Sequence, residues 1–444
     1  MFENKKIFVF GMARSGYAVS KLLSKYNNKI VITDQKNQDE TRVKELQKIG
    51  IDFIKSDNPI ELLDDSFDFV VKNPGIRYDH PLILKANKLG IKVVNEVEVA
   101  YHFLPENTYI IAITGSNGKT TTTTLCYEFV KQMKRRVHLG GNIGYPLSGI
   151  VSDIKSGDVL VIEISVQQLF DLYDFTPDVS VLTNLTPVHI DLAGSYDKYI
   201  DLKKKIFKNQ TNSNIAIINK SNLDSYNATK KIKSKKIFFS STEDADACIK
   251  DGAIFYNNEE IIKLSDIKLK GMHNYENIMC AIIATKELGI SNDIIKTVLS
   301  KFNGVEHRME YVTTVNHRIF YNDSKATNVK STEIALKSFD SPVILIMGGL
   351  DRGHSFEDLS DDMQQVKLVV CYGETKNRIK DFCQKMKIKC EVFENLNQAT
   401  KFAYEKSLEG DTILLSPACA SWDQYDCFED RGNEFKKIIA SLNK

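Results

Sequence analysis

The chain has almost no net charge: 59 Lys and Arg stand against 58 Asp and Glu over 444 residues, a formal charge of +1. Proteins that live on nucleic acid or on anionic membranes carry a basic surplus, so neither partner is expected. No apolar run approaches the roughly 20 residues that a helix needs to cross a bilayer, and membrane insertion is not expected. Proline fills only 9 positions and cysteine 8. The cysteines are scattered, with no CxxC pair and no metal-ligand spacing. They read as reduced thiols of a cytoplasmic protein rather than as a disulfide framework. The opening MFENKKIFVFGMARSG is charged, then strand-like, and lacks the pattern of a signal peptide. Collagen, coiled-coil, secreted and membrane classes are set aside. What is present is a chain 42% apolar and 26% charged. At about 150 residues per domain it is long enough for about three domains, each with its own core.

Short apolar runs alternate with amphipathic stretches. KIFVF (6–10), Gly11, a helical pattern over 15–26, and KIVITD (29–34) ending in Asp34 follow the order of a βαβ nucleotide-binding unit. FDFVV (67–71) then runs into Asn73-Pro74-Gly75. A second block begins with YIIAIT (109–114) and continues through strands expected at 159–164, 179–184 and 215–219. Residues 247–268 read as an antiparallel patch at a sheet edge, and helices at 273–288 and 292–302 close the block. A third block opens on a hairpin, 311–315 and 318–322, turned at Asn316-His317. Strands at 343–347, 368–371 and 412–415 follow, alternating with helices. Uniformly apolar strands of this kind suit parallel sheets covered on both faces. Domain boundaries are expected near 98 and 304.

The strongest local signal is Thr114-Gly115-Ser116-Asn117-Gly118-Lys119-Thr120-Thr121, which follows a strand and opens a helix. That is the setting a phosphate loop requires: glycines let backbone N–H groups turn onto phosphate oxygens, and the helix N-terminus adds its positive end. Lys119 is placed for the β- and γ-phosphates and the Thr120 hydroxyl for Mg²⁺. Ile113 stands where GxxxxGK[ST] would have its first glycine, so a Gly-Lys turn capping a helix is the bland alternative. Glu163, at the end of a strand near this loop, is placed to hold Mg²⁺ or its waters, or is a solvated strand-end carboxylate.

Other segments are ambiguous one by one. His189, after the next strand, is a metal ligand or a hydrogen-bonded loop residue. Lys203, Lys204 and Lys205 form a cluster of the kind that is usually a solvated helix face. Asn274 and Asn277 face a nucleotide, or Asn274 caps a helix. Arg308 and the run from Asp323 through Lys325 to Thr327 flank the hairpin; an arginine there suits a transferring phosphoryl group, whereas surface ion pairing is the alternative for each charge. Cys419 lies in the loop 416–432 without a paired His/Asn signature, so packing is the better reading for it.

Taken in order, these pieces resemble the Mur ligase family: GxxxSG near the start, KNPGI (72–76), TGSNGKTTT, GGNIG (140–144), HRME (307–310), NDSKATN (322–328), GGLDRG (348–353) and SPACASWDQY (416–425). The resemblance spans the chain, and NDSKATN and SPACAS are similar to the D-glutamate-adding member. It implies three α/β domains: a Rossmann-like N-terminal domain for the UDP moiety (1–98), a central P-loop ATPase domain with a mixed sheet (99–304), and a C-terminal Rossmann-like α/β domain (305–444). The implied reaction joins D-glutamate to UDP-N-acetylmuramoyl-L-alanine in peptidoglycan precursor synthesis. It uses ATP and two Mg²⁺ ions, proceeds through an acyl phosphate, and is carried out by a monomer.

Carried over by motif, the resemblance assigns Lys119, Glu163, His189 and Lys203 to catalysis. Thr120 and Glu163 serve one Mg²⁺, and His189 with a carbamylated Lys203 the other. The family's YxxAK pattern, here Tyr199-Ile-Asp-Leu-Lys203, selects Lys203 over its neighbours. ATP contacts fall to Gly115 through Thr121, Asn274, Asn277, Arg308 and Asp323. Arg14, Ser15, Asp34, Asn73, Gly75 and Asn142 match the uridine-nucleotide and muramoyl contacts. Lys325, Thr327, Arg352, Ser421 and Phe428 match the D-glutamate side. The family's ExSSFQL is changed to Glu163-Ile-Ser165-Val166-Gln167-Gln168-Leu169. A nicotinamide-dependent oxidoreductase would share the first βαβ unit and Asp34. Its GxGxxG is absent, however, and it would leave the phosphate loop unexplained. A folylpolyglutamate synthase would lack the N-terminal UDP domain.

Overall fold

The computed structural model describes residues 1–187, 193–339 and 341–442. Among them, twenty strands form three sheets. In the first, β1 (Lys6–Phe10), β2 (Lys29–Asp34), β3 (Asp52–Lys55), β4 (Phe69–Lys72) and β5 (Lys92–Val94) run parallel in the order β3-β2-β1-β4-β5. The strand order reverses direction at β1, so the loops after β1 and β4 open the crevice in which such sheets bind ligands.

The second sheet contains β6 (Tyr109–Thr114), β7 (Val137–Gly141), β8 (Val159–Glu163), β9 (Val179–Leu182), β10 (Ile215–Asn219), β11 (Lys235–Ser240), β12 (Ala247–Lys250), β13 (Ala253–Tyr256) and β14 (Glu259–Lys263). Its order is β14-β13-β12-β11-β10-β9-β6-β8-β7, parallel from β7 to β12 and antiparallel through β13 and β14. The antiparallel patch expected from 247–268 is present, at the far edge from β7. Side chains alternate across the sheet with the strand period of two. Ile111 and Ile113 enter one core with the helices Lys119–Lys131 and Met272–Lys286, while Ile110 and Ala112 enter the other.

The third sheet contains β15 (Glu310–Val315), β16 (Arg318–Asn322), β17 (Val343–Gly348), β18 (Val366–Tyr372), β19 (Cys390–Val392) and β20 (Thr412–Leu415), in the order β15-β16-β20-β17-β18-β19. Only the β15–β16 pair is antiparallel among these described strands. Its turn is at Asn316-His317, with φ of 47° and 62°. Two left-handed residues in succession give the twist that a two-residue hairpin needs.

Five strands have no clear trace in the hydropathy pattern. β7 reads VHLGG and β19 only CEV; β3 (DFIK) and β11 (KKIFFS) are lysine-bearing, and β5 is a three-residue KVV. Their extended form comes from pairing with an apolar neighbour, which a local pattern does not report. Among the described residues, no helix is long and apolar enough to cross a membrane.

The chain forms two compact units, Met1–Phe302 and Asn303–Lys444. The first two sheets share one unit because the chain between them is tied down by buried polar groups. Glu98, on the short helix Glu96–Tyr101, is fully buried and accepts from the backbone N–H groups of Tyr173 (3.1 Å), Asp174 (2.8 Å) and Phe175 (3.4 Å). Lys72, at the end of β4, pairs with Asp171 at 3.0 Å and donates to the Ile76 carbonyl at 2.9 Å. Leu22, Val97 and Ala100 add apolar contacts to the core beneath the second sheet.

Burial pushes the Glu98 carboxyl up, but His102 and the N–H groups of Asp174 and Tyr173 outweigh it and hold the group below the ordinary glutamate value. An acid depressed on folding stabilises the native state above its unfolded pKa, and that contribution is lost as pH falls through the folded one. Glu98→Gln is therefore expected to cost about 1–3 kcal/mol in urea unfolding at pH 7. The difference from wild type should shrink as the pH is lowered below the ordinary glutamate range. A pH-independent difference would refute the carboxylate's role.

Candidate active site

The phosphate-loop segment leaves β6 between β8 and β9, its hydrogen-bonded neighbours. Two glycines make the turn possible. Gly115 has φ of 148°, and a Cβ there would lie 1.9 Å from the Thr183 hydroxyl. Gly118, the left-handed N-cap of the helix Lys119–Lys131, has φ of 80°, and a Cβ would lie 2.0 Å from Asn277 Oδ1. Neither position tolerates a side chain. Asn277 is thus brought against the loop by the helix Met272–Lys286; Asn274, one turn earlier, donates to the Lys270 carbonyl at 2.8 Å. Lys119 Nζ donates to the carbonyls of Gly115 at 3.0 Å and Ser116 at 2.8 Å, and the Thr120 side chain is buried beneath.

The loop rests on the segment that follows β9. Ser116 N donates to the Asn184 carbonyl (2.9 Å) and Asn117 N to Asn184 Oδ1 (2.9 Å), while Ser116 Oγ meets the Tyr199 hydroxyl at 3.0 Å. Asn184 and Tyr199 are therefore walls of the site that motif reading did not assign. The polar Asn after an apolar strand was the available signal. His189, the expected metal ligand, lies outside the described residues.

Glu163 ends β8 one strand away from the loop and is 1% exposed. Its Oε1 accepts from Asn142 Nδ2 at 2.6 Å, and the Glu163 carbonyl accepts from Asn142 N at 2.9 Å. The GGNIG turn is in this way fastened to the carboxylate. Beyond Glu163 the changed segment still forms a helix, Val166–Leu169, with a capping box between Ser165 and Gln168.

The three consecutive lysines diverge. Lys204 pairs with Asp201 on the surface, and Lys205 donates to the Phe170 carbonyl at 2.6 Å. Lys203 alone is fully buried, at 1% exposure, and its Nζ donates to Thr114 Oγ1 at 3.0 Å. Burial, and after it the Lys119 charge, holds its pKa well below the ordinary lysine value, with Glu163 opposing. Burial of this kind favours the neutral, nucleophilic amine over the ammonium.

In the first sheet, Arg14, Asp34, Asn73 and Gly75 gather at the C-terminal ends of β1, β2 and β4. Asp34 accepts from the N–H groups of Met12 and Lys36, both at 2.9 Å, and Asn73 Oδ1 accepts from Gly75 N at 3.1 Å. Arg14 reaches the Gly144 carbonyl at 3.1 Å, joining this crevice to the GGNIG turn, and half-buried Ser15 follows it.

The second unit carries its own group. Arg308, Asp323 and Lys325 line a cavity of about 180 Å³ with Met309, Ala326, Ser331, Ile334 and Ala335. Asp323 accepts from Met309 N (3.1 Å) and the Ser416 hydroxyl (2.9 Å), and burial pushes its carboxyl up to about 7. Lys325 Nζ sits 5.7 Å from the centre of the Phe428 ring, and Thr327 follows in the same loop. Arg352 stacks over Trp422 at 4.6 Å, next to buried Ser421. Cys419 is buried and its thiol is pushed up to about 11, so it presents no thiolate at neutral pH.

Comparison with known proteins agrees along the whole chain. Residues 5–95 match the Mur ligase MurD-like N-terminal domain, 113–285 the Mur ligase middle domain, and 307–419 the Mur ligase glutamate ligase domain. The chain is 44% identical over 446 residues to the UDP-N-acetylmuramoylalanine–D-glutamate ligase of Geobacillus kaustophilus (strain HTA426), covering 99% of this chain and 98% of that one. It is 42% identical over 445 residues, at the same coverage, to the enzyme of that name from Bacillus cereus (strain G9842). Among solved structures it shares its fold with the UDP-N-acetylmuramate-alanine ligase of Thermotoga maritima, with a TM-score of 0.60 and 18% identity over 99% of this chain and 100% of that one. With near-complete coverage at this identity and three family domains in order, the chain belongs to the Mur ligase family.

Proposed function

We propose that this chain is an ATP-dependent ligase that joins D-glutamate to UDP-N-acetylmuramoyl-L-alanine in peptidoglycan precursor synthesis. The observation that carries the reading is the full-length likeness, at 42–44% identity, to enzymes bearing that name. Half-buried Lys119 with buried Glu163 and Lys203 at the phosphate loop supports it from chemistry. We assign residues 1–98 to the UDP substrate, 99–304 to ATP, and 305–444 to the amino acid and part of the nucleotide.

The reaction brings a carboxylate to a polyphosphate, and the obstacle is their repulsion. Backbone N–H groups of residues 115–120 and the Lys119 ammonium hold the phosphates, and Arg308 offsets charge as the terminal phosphoryl group moves. That group passes to the alanyl carboxylate, giving ADP and an acyl phosphate. The D-glutamate amine then attacks the acyl carbon, and phosphate leaves as the amide forms. Lys325, Thr327, Arg352, Ser421 and Phe428 orient the amino acid, and Arg14, Ser15, Asp34, Asn73, Gly75 and Asn142 the UDP substrate. Asn274, Asn277 and Asp323 hold the nucleoside.

Thr120 and Glu163 are oxygen donors of the type Mg²⁺ prefers, so the residues present fit that ion. Held there, magnesium would supply neutralising charge beside the phosphates, and a second ion would fall to His189 with a carbamylated Lys203. Lys203 would join His189 on that second ion if its unprotonated amine adds CO₂ and releases a proton, since the carbamate offers oxygen where the ammonium offered a cation.

Purified protein should release phosphate from ATP only when UDP-N-acetylmuramoyl-L-alanine and D-glutamate are both supplied. Equal turnover with L-glutamate, with D-alanine or without acceptor would rule out the assignment. Lys203→Ala should lose about a hundredfold or more in kcat. Short carboxylic acids should restore part of that rate by replacing the carbamate oxygens. A variant with normal rates would reduce Lys203 to a packing residue.

A further inference from the structure

Arg431, in the helix Phe428–Leu442, has no solvent exposure, and it is the largest of the fully buried side chains. Its guanidinium makes four hydrogen bonds, each to an uncharged oxygen. Nε donates to Ser324 Oγ at 2.9 Å and Nη2 to the Ser324 carbonyl at 2.7 Å. Nη1 donates to the carbonyls of Cys419 at 3.1 Å and Gly348 at 3.4 Å. A guanidinium does not lose its proton when buried, so the cation remains and its planar fork fixes whatever it holds.

The acceptors lie where three different loops begin. Ser324 follows β16 and precedes Lys325 and Thr327; Gly348 ends β17 and precedes Arg352; Cys419 follows β20 and precedes Ser421. The three strands are neighbours in the order β16-β20-β17, parallel to one another, so these loops leave the same edge of the sheet. Every residue assigned above to the amino acid lies one to four positions from an Arg431 acceptor, or begins the helix that carries Arg431 itself, as Phe428 does. The Ser324 hydroxyl, besides accepting from Arg431, donates to the Phe428 carbonyl at 2.8 Å, which closes the set.

We propose that Arg431 is the positioning residue for the amino-acid subsite: it holds the loops of Lys325, Thr327, Arg352 and Ser421 at one spacing and acts through them, without touching substrate. The inference rests on the proposed function and specifies how the carboxylates of the incoming amino acid find their cations and hydroxyls already in place. A dianion gains from such groups only if they are held at the right separation before it arrives. Lysine at this position would keep the charge but not the fork, and could not bond three loops at once.

The test is steady-state kinetics on wild type, Arg431→Lys and Ser324→Ala, with each substrate varied in turn and melting temperature recorded for each protein. Arg431→Lys should raise the KM for D-glutamate about tenfold or more while the KM for UDP-N-acetylmuramoyl-L-alanine moves little. Ser324→Ala, which removes one acceptor and leaves the arginine, should raise the same KM by a smaller factor and decides the matter if Arg431→Lys does not fold. An unchanged KM for D-glutamate in the folded variants, or equal rises for all substrates, overturns the inference alone. Wild-type protein without D-glutamate-dependent turnover overturns the functional reading and this inference with it.

Discussion

Lys203 is an amine held out of water, 3.0 Å from the Thr114 hydroxyl, with Lys119 pressing against its charge and Glu163 supporting it. Much of the first unit can be read as the means of keeping that arrangement. β6 and β8 must lie side by side for Thr114 and Glu163 to meet the same space. The segment after β9 must buttress the loop through Asn184, and Tyr199 must close it through Ser116. The helix Tyr196–Lys204 then has a single direction in which to send Lys203. An unpaired ammonium in such a place is costly, and the cheaper states are the neutral amine or a modified one.

The same economy of charge runs through the rest of the chain. Glu98 is tolerated in the interior because three backbone N–H groups converge on it, and Lys72 because Asp171 meets it. These bonds fix the two crevices of the first unit relative to the strands that build them, so Arg14 can span from β1's loop to the GGNIG turn. In the second unit Arg431 holds three carbonyls with no carboxylate among its acceptors, and burial lifts the Asp323 carboxyl to about 7. Reactions that join two anions need cations that are already desolvated and oriented, since rearranging them during the reaction would add to the barrier.

How much of this was legible in the sequence depends on whether the signal was local. The alternation in KIVITD and YIIAIT, the glycines around Lys119 and the Asn316-His317 turn each report a structure formed by their own residues, and the elements fall there. β7 and β19 do not, because VHLGG and CEV become strands only beside β8 and β18. The run of three lysines is the clearest limit: charge alone made all three solvent-facing. The helix phase puts Lys203 inside and Lys204 outside, and only the family spacing from Tyr199 singled out the buried one. Arg431 was invisible as a site residue because its partners are backbone carbonyls from three distant loops.

The account stands on one transfer, from the nucleotide's terminal phosphate to the alanyl carboxylate. Substrate labelled with ¹⁸O in that carboxylate tests it directly, by mass spectrometry of the phosphate released during D-glutamate-dependent turnover. Transfer through an acyl phosphate leaves one labelled oxygen in each phosphate formed from fully labelled substrate. Phosphate that carries no label, released at the same rate as the amide forms, would contradict the account.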